Sequence, residues 1–277
     1  MQQHEFDWVT SDGTVMYGQV WQPAQVKAVV CLVHGIGEHS GRYAHVAEAL
    51  GQAGYALMGF DLRGHGRSTG QRGHMRAMDD FMDDIDHLLD QSARRFAGLP
   101  CFLYGHSLGG LLVLNFALRR KPALLGVIVG APGLRTVLRE QKVKVAFNNL
   151  LASAFSTLTV PTGLDPNLIS RDPEVVRTYQ SDPLVHGWAT LSMAKEGFQA
   201  IDWVLAQAAE FPLPLLVLHG TADRLVYPTG SEELVRLAPQ ATLKLYEGLF
   251  HEVHNEPEKE RVFADWIAWM DAQMNVA

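Results

Sequence analysis

The sequence predicts an α/β fold: a mostly parallel, eight-stranded sheet flanked by helices on both faces, with a helical cap inserted late in the chain. Three observations carry that expectation. Continuous runs of β-branched and apolar residues recur along the chain, the pattern of strands buried on both faces. Helix-period segments lie between them, and strands alternating with helices give a parallel sheet. One stretch, residues 133–186, breaks the alternation.

In order, residues 5–21 read as two strands around a Ser-Asp-Gly turn. KAVVCLVHG, YALMGFD, PCFLYG, LLGVIVGAP and LPLLVLHG are buried strands, and ATLKLYEG, which alternates, is an edge strand. In DDFMDDIDHLLDQSARRF, the residues Phe81, Ile85, Leu88, Leu89, Ser92 and Phe96 share a face, and acids cover the other. SLGGLLVLNFALRR is an apolar helix whose arginines arrive at its C-terminal end, where the helix dipole favours cations. EPEKERVFADWIAWMDAQM closes the chain as a helix, acidic at its start. Residues 1–132 and 187–277 therefore form the core domain. Residues 133–186, helical and then irregular with several prolines, form a cap over one end of the sheet, the alternative being ordinary crossover helices.

A length of 277 residues, about half of them apolar, suits one large domain with a sizeable core. The net charge of −7 argues against nucleic-acid binding, which needs a basic face. Cys31 and Cys101 lie in strand-like runs and are expected as unpaired core thiols. The N-terminus is polar and acidic, without a signal-peptide pattern, and no apolar run approaches a membrane span. A cytoplasmic protein is expected, with peripheral membrane contact left open. GIGEHSG and GHGRSTG each set the last glycine one residue too far for a dinucleotide loop, and no Walker loop or His-Glu-x-x-His pattern occurs. No cofactor and no metal are expected.

The chemistry is concentrated in GHSLGG. Gly105 and Gly109 flank Ser107 two residues away on either side, between a strand and a helix. A sharp strand-to-helix turn needs small neighbours at those positions and holds the serine hydroxyl out at the sheet's C-terminal edge. It also puts the Leu108 amide at a helix N-terminus, where N–H groups lack internal partners and can hold an oxyanion. Such a serine needs a base, and the base needs an orienting acid. Of twelve histidines, His251 lies just after the last strand and before the last helix, with His254 as its rival three residues on. His106 adjoins the serine but is expected to project the other way. Asp223 follows a buried strand, and Ser107, Asp223, His251 is the chain order expected of this sheet type. Asp61 is the other strand-end carboxylate, expected in an ion pair with Arg63 or Arg67. The Ile36 amide, between Gly35 and Gly37, is the candidate second oxyanion donor.

Taken together, HGIGEHSGRY, DLRGHGRSTG, GHSLGG, RDPEVVRTYQSDPLVHG, HGTADRLV and HEVHNEPEKE resemble the monoacylglycerol lipases of the α/β-hydrolase superfamily over nearly the whole chain. The resemblance implies a serine hydrolase with the α/β-hydrolase fold, releasing fatty acid and glycerol from a monoacylglycerol. It matches Ser107, Asp223 and His251 to the family's triad, and Ile36 and Leu108 to its oxyanion amides. It places Glu38, Arg42 and His254 at the polar glycerol end of the pocket. Arg42 reads equally well as a solvated charge at a helix start. Val143, Val145, Phe147, Leu150, Leu151 and Phe155 of the cap either line an acyl tunnel, meet a membrane or micelle surface transiently, or pack on the core. A broader carboxylesterase or lysophospholipase is the alternative enzyme, and a non-catalytic ligand-binding protein the alternative class.

Overall fold

The computed structural model describes residues 1–140, 151–152 and 154–275. Its sheet is built from β1 (Gln2–Val9), β2 (Val15–Gln22), β3 (Ala28–Val33), β4 (Tyr55–Phe60), β5 (Cys101–His106) and β6 (Gly126–Gly130). β7 (Thr159–Pro161) and β8 (Trp188–Thr190) pair with each other in a separate two-stranded sheet, and β9 (Leu215–Gly220) and β10 (Ala241–Tyr246) complete the large sheet. The order is β1-β2-β4-β3-β5-β6-β9-β10. β2 runs antiparallel to β1 and β4, and β4, β3, β5, β6, β9 and β10 are mutually parallel. Eight strands, mostly parallel, is the fold the sequence announces. β10 is an edge, as its alternation indicates.

Eight helices are described by range: α1 (Ala44–Gln52), α2 (Met78–Arg95), α3 (Leu108–Arg120), α4 (Val137–Glu140), α5 (Pro173–Ser181), α6 (Leu191–Gln207), α7 (Thr229–Leu237) and α8 (Lys259–Met274). Strand residues alternate between two cores. Val30 and Leu32 of β3 pack with Val46 and Leu50 of α1 and with Phe263 and Trp266 of α8. Val29, Cys31 and Val33 pack on the other face with Phe81 and Ile85 of α2 and Leu112 and Phe116 of α3. Both thiols are free, as expected, with Sγ atoms 3.7 Å apart across β3 and β5.

Two expectations need correction here. Asp84 of α2 lies on the buried side, where Arg63 grips it at 2.8 and 2.7 Å, so the acids do not all cover the exposed face. Asp61 pairs with neither arginine side chain. It accepts from the Ser40 amide, the Ser40 hydroxyl and the Arg67 backbone amide, which pins the loop after β4 to the loop after β3.

β8, residues 188–190, pairs antiparallel with β7. The segment is tied down to the core: His186 N donates to Gly37 O at 2.9 Å, Thr190 N to Gly73 O at 2.9 Å, and Ser192 Oγ to Met75 O at 2.6 Å. Leu151 is half-buried and Phe155 is exposed, and Val143, Val145, Phe147 and Leu150 lie outside the described residues.

Candidate active site

The parallel strands end along one edge, and β3, β5, β9 and β10 each deliver one chemical group there. β5 runs directly into α3 through Ser107, whose φ of 54° lies in a region that side chains rarely adopt. Holding it there costs on the order of 1–3 kcal/mol. Two close approaches enforce the turn. A Cβ on Gly105 would overlap the Gly109 carbonyl, and a Cβ on Gly109 would overlap the carbonyl of Val33 on the neighbouring strand. Ser107 N donates to Gly130 O at 2.9 Å, and Ser107 O accepts from Gly133 N at 2.9 Å, so the backbone of the turn is held by the end of β6 and the loop after it.

Asp223 sits in the loop after β9. Its Oδ1 accepts from Leu225 N at 2.8 Å and Val226 N at 3.0 Å. Its Oδ2 receives His251 Nδ1 at 2.7 Å and His219 Nε2 at 3.1 Å. Burial works to raise the Asp223 pKa, but the charges and hydrogen bonds of His251 and His219 outweigh it, and the carboxyl stays below the usual carboxylate range. For His251 burial works downward, and the Asp223 carboxylate outweighs it, lifting the imidazole above the ordinary 6.5. His251 must be neutral to take a proton. The profile of kcat/KM against pH is therefore expected to rise through an inflection above 6.5, with Asp223 ionised throughout.

Ser107 and His251 are respectively 9% and 6% exposed. They open onto the same space without a hydrogen bond between them among the described residues. Such contacts often tighten only when substrate is bound. Neither the Ile36 amide nor the Leu108 amide donates to a backbone carbonyl among the described residues. Both residues line the space in front of Ser107. Two cavities meet at Ser107, Ile36 and His251. The larger, about 300 Å³, is walled by apolar residues such as Leu111, Val160, Leu164, Met193, Phe198 and Ile201. The smaller, about 40 Å³, carries Glu38, His106, Asp165, Tyr179 and Glu252.

The model of the Hydrolase_4 family, described as Serine aminopeptidase, S33, matches residues 24–258. The chain is an α/β-hydrolase of that family. Over 255 residues the hydrolase is 38% identical to a monoacylglycerol lipase of Mycolicibacterium smegmatis, covering 91% of each chain. It is 37% identical over 277 residues to an uncharacterized abhydrolase domain-containing protein of Dictyostelium discoideum, matching with 97% of its own length but spanning only 29% of that relative. The crystal structure of the Paleococcus ferrophilus monoacylglycerol lipase superimposes with a TM-score of 0.84 at 31% identity, covering 99% of the hydrolase and all of that chain.

The polar residues that the resemblance put at the glycerol end divide in the hydrolase. Glu38 reaches the small cavity wall. Arg42 does not: it is a buried ion-pair partner of Glu38 and Glu252, and not a solvated helix-start charge. His254 does not reach either cavity. Its ring is buried, stacks on Tyr43 at 5.0 Å and meets His106 edge-on at 4.8 Å. Burial, and then the neighbouring His106, hold His254 well below its ordinary pKa. His106 turns back to Gly130 O at 3.1 Å, yet its ring lies 4.8 Å from that of His251 and joins the small cavity wall. Burial, and then His251, push it down to about 4.

His219 is the site residue that sequence reasoning missed. It is the penultimate residue of β9, bonds to Asp223 four residues later, and is held on its far side by Ser231 Oγ of α7 at 2.7 Å. The signal was present in HGTADR: a histidine near a strand end with an acid four residues on.

Proposed function

We propose that this hydrolase cleaves monoacylglycerols to fatty acid and glycerol through an acyl-enzyme on Ser107. The observation that carries the reading is the His251–Asp223 pair beside a strained serine, where a larger apolar cavity meets a smaller one lined by polar side chains. The apolar cavity suits an acyl chain and the polar one a small alcohol. Both cavity-lining carboxylates that are buried, Glu38 and Glu252, are already paired with Arg42. The monoacylglycerol lipases among its relatives support the same substrate class.

His251 Nε2 takes the Ser107 proton as the oxygen attacks the ester carbonyl, and Asp223 stabilises the imidazolium. The Ile36 and Leu108 amides hold the oxyanion. The imidazolium returns its proton to the leaving glycerol oxygen, and water then repeats the cycle on the acyl-enzyme. Rates on mono-, di- and triacylglycerol and on lysophospholipid test the substrate class. The monoacyl substrate is expected to be fastest, and a faster lysophospholipid would overturn the assignment in favour of the alternative enzyme.

The acyl cavity has a thin place. Met193, Ala194, Gly197, Phe198 and Ile201 of α6 line it, and a Cβ built at Gly197 meets no atom of a described residue within 4 Å. Gly197→Leu fills space there and is expected to exclude about two methylenes of a long chain, ~1.6 kcal/mol of burial. The kcat/KM ratio of palmitate to butyrate p-nitrophenyl esters should fall about tenfold. Melting should not suffer, because glycine is a poor helix former.

Among the described residues no helix is long and apolar enough to cross a membrane. The exposed cap residues Phe155, Leu158 and Trp188 give a surface for transient contact with a membrane or micelle.

A further inference from the structure

The serine chemistry proposed above needs two loops to keep their spacing. Residues 35–38 carry the Ile36 amide, and residues 249–255 carry His251. One buried ion network joins them. Glu38 Oε1 accepts from Gly35 N at 2.6 Å and from Tyr43 Oη at 2.8 Å, which closes the loop around Ile36. Glu38 Oε2 accepts from Arg42 Nη1 at 2.6 Å. The same guanidinium makes a two-point pair with Glu252, the residue after His251, at 2.7 Å on each arm. Glu252 is fixed in turn: Asn255 Nδ2 donates to its Oε2 at 2.7 Å, and its own amide donates to Ile169 O at 2.8 Å. The Tyr179 ring lies 4.7 Å from the guanidinium. The side chains of Arg42, Glu38 and Glu252 are only 10%, 3% and 4% exposed.

We propose that Glu38, Arg42 and Glu252 form a positioning brace that sets the distance between the Ile36 oxyanion amide and the His251 base. This rests on the serine mechanism above. Three features support it. Arg42 borders neither cavity, so its contacts are to the two loops and not to a substrate. The guanidinium is a rigid planar fork, and a fork anchored on both sides fixes a separation that a flexible ammonium cannot. Burying three charges is a poor way to gain stability alone, because well-packed apolar residues do as well or better.

The brace also places two anions near the base. The groups acting on His251 are Asp223, Glu252 and Glu38, with the ring of His106 beside it and His254 packed on His106. Removing the Glu252 charge takes away an anion that favours the imidazolium, so the pH inflection should move down.

The test compares wild type with Arg42→Lys, Arg42→Met and Glu252→Gln, using p-nitrophenyl butyrate, which has no glycerol, and a monoacylglycerol. Arg42→Met is expected to lower kcat on both substrates by about tenfold to a hundredfold, with KM within about threefold. Arg42→Lys should fold with a melting temperature nearer to wild type and still not recover kcat. Glu252→Gln should lose kcat and shift the inflection to lower pH. If Arg42→Met does not fold, the other two variants decide. The brace is overturned if folded Arg42→Lys and Glu252→Gln keep wild-type kcat on p-nitrophenyl butyrate. It is equally overturned if the loss is confined to KM for the monoacylglycerol, which would make these residues alcohol-side contacts. A fall in activity that only follows the unfolded fraction, with the inflection in place, also overturns it. Ser107→Ala run alongside separates the two ideas. Activity surviving there removes the serine mechanism, whereas activity lost there with a normal Arg42→Lys removes only the brace.

Discussion

Ser107→Ala is expected to lower kcat on p-nitrophenyl butyrate by at least about a thousandfold, with His251→Ala close behind. The two losses should be similar because nucleophile and base act as one unit: an alcohol without its base is as inert as a base without its alcohol. The fold should survive. Alanine keeps the Cβ that already sits at a φ of 54°, and the turn is held by Gly105, Gly109 and the backbone bonds to Gly130 and Gly133, none of which the hydroxyl supplies. Circular dichroism melting checks that point. Residual catalysis should remain, since the oxyanion amides and the apolar cavity are untouched. A loss under about tenfold for either variant would contradict the assignment.

Asp223→Asn is expected to cost about ten-thousandfold in kcat, more than loss of charge alone explains. Asn Oδ1 can still accept from the Leu225 and Val226 amides, so its Nδ2 must take the place of Oδ2. That place now receives His251 Nδ1 and His219 Nε2. A donor there forces His251 to accept at Nδ1 and to carry its proton on Nε2, facing the serine, where it cannot act as a base. The second consequence is electrostatic. With the carboxylate gone, nothing comparable offsets burial of the ring, and what activity remains should show its inflection at lower pH than wild type. An inflection that stays in place would mean that Asp223 does not govern the base.

The sheet was legible because each central strand is buried on both faces and so is written as an unbroken apolar run, as in KAVVCLV and CFLYG. The elbow was legible for a related reason. Backbone contact tolerates only glycine at 105 and 109, and that requirement leaves a local signature. His251 and Asp223, expected from their places after strand ends, are brought together by the fold. Side-chain partners across the chain could not be read in this way. Arg42 reads like a surface charge at a helix start until folding brings Glu252, 210 residues later, onto its guanidinium. His254 reads like a loop histidine beside the site, yet the turn between residues 251 and 254 swings its ring behind the wall and onto Tyr43. Asp61 illustrates the same limit. Adjacent arginines suggested an ion pair, whereas Ser40, on another loop, and the Arg67 backbone amide supply its partners. The small pairing of β7 with β8 was missed because three-residue strands leave no periodicity to read.

The most direct measurement is to react the protein with a fluorophosphonate ester and map the modified residue by peptide mass spectrometry. One adduct is expected, on the peptide containing Ser107, forming far more slowly in His251→Ala. An adduct on any other side chain, or equal labelling with the imidazole removed, would contradict a serine made nucleophilic by His251.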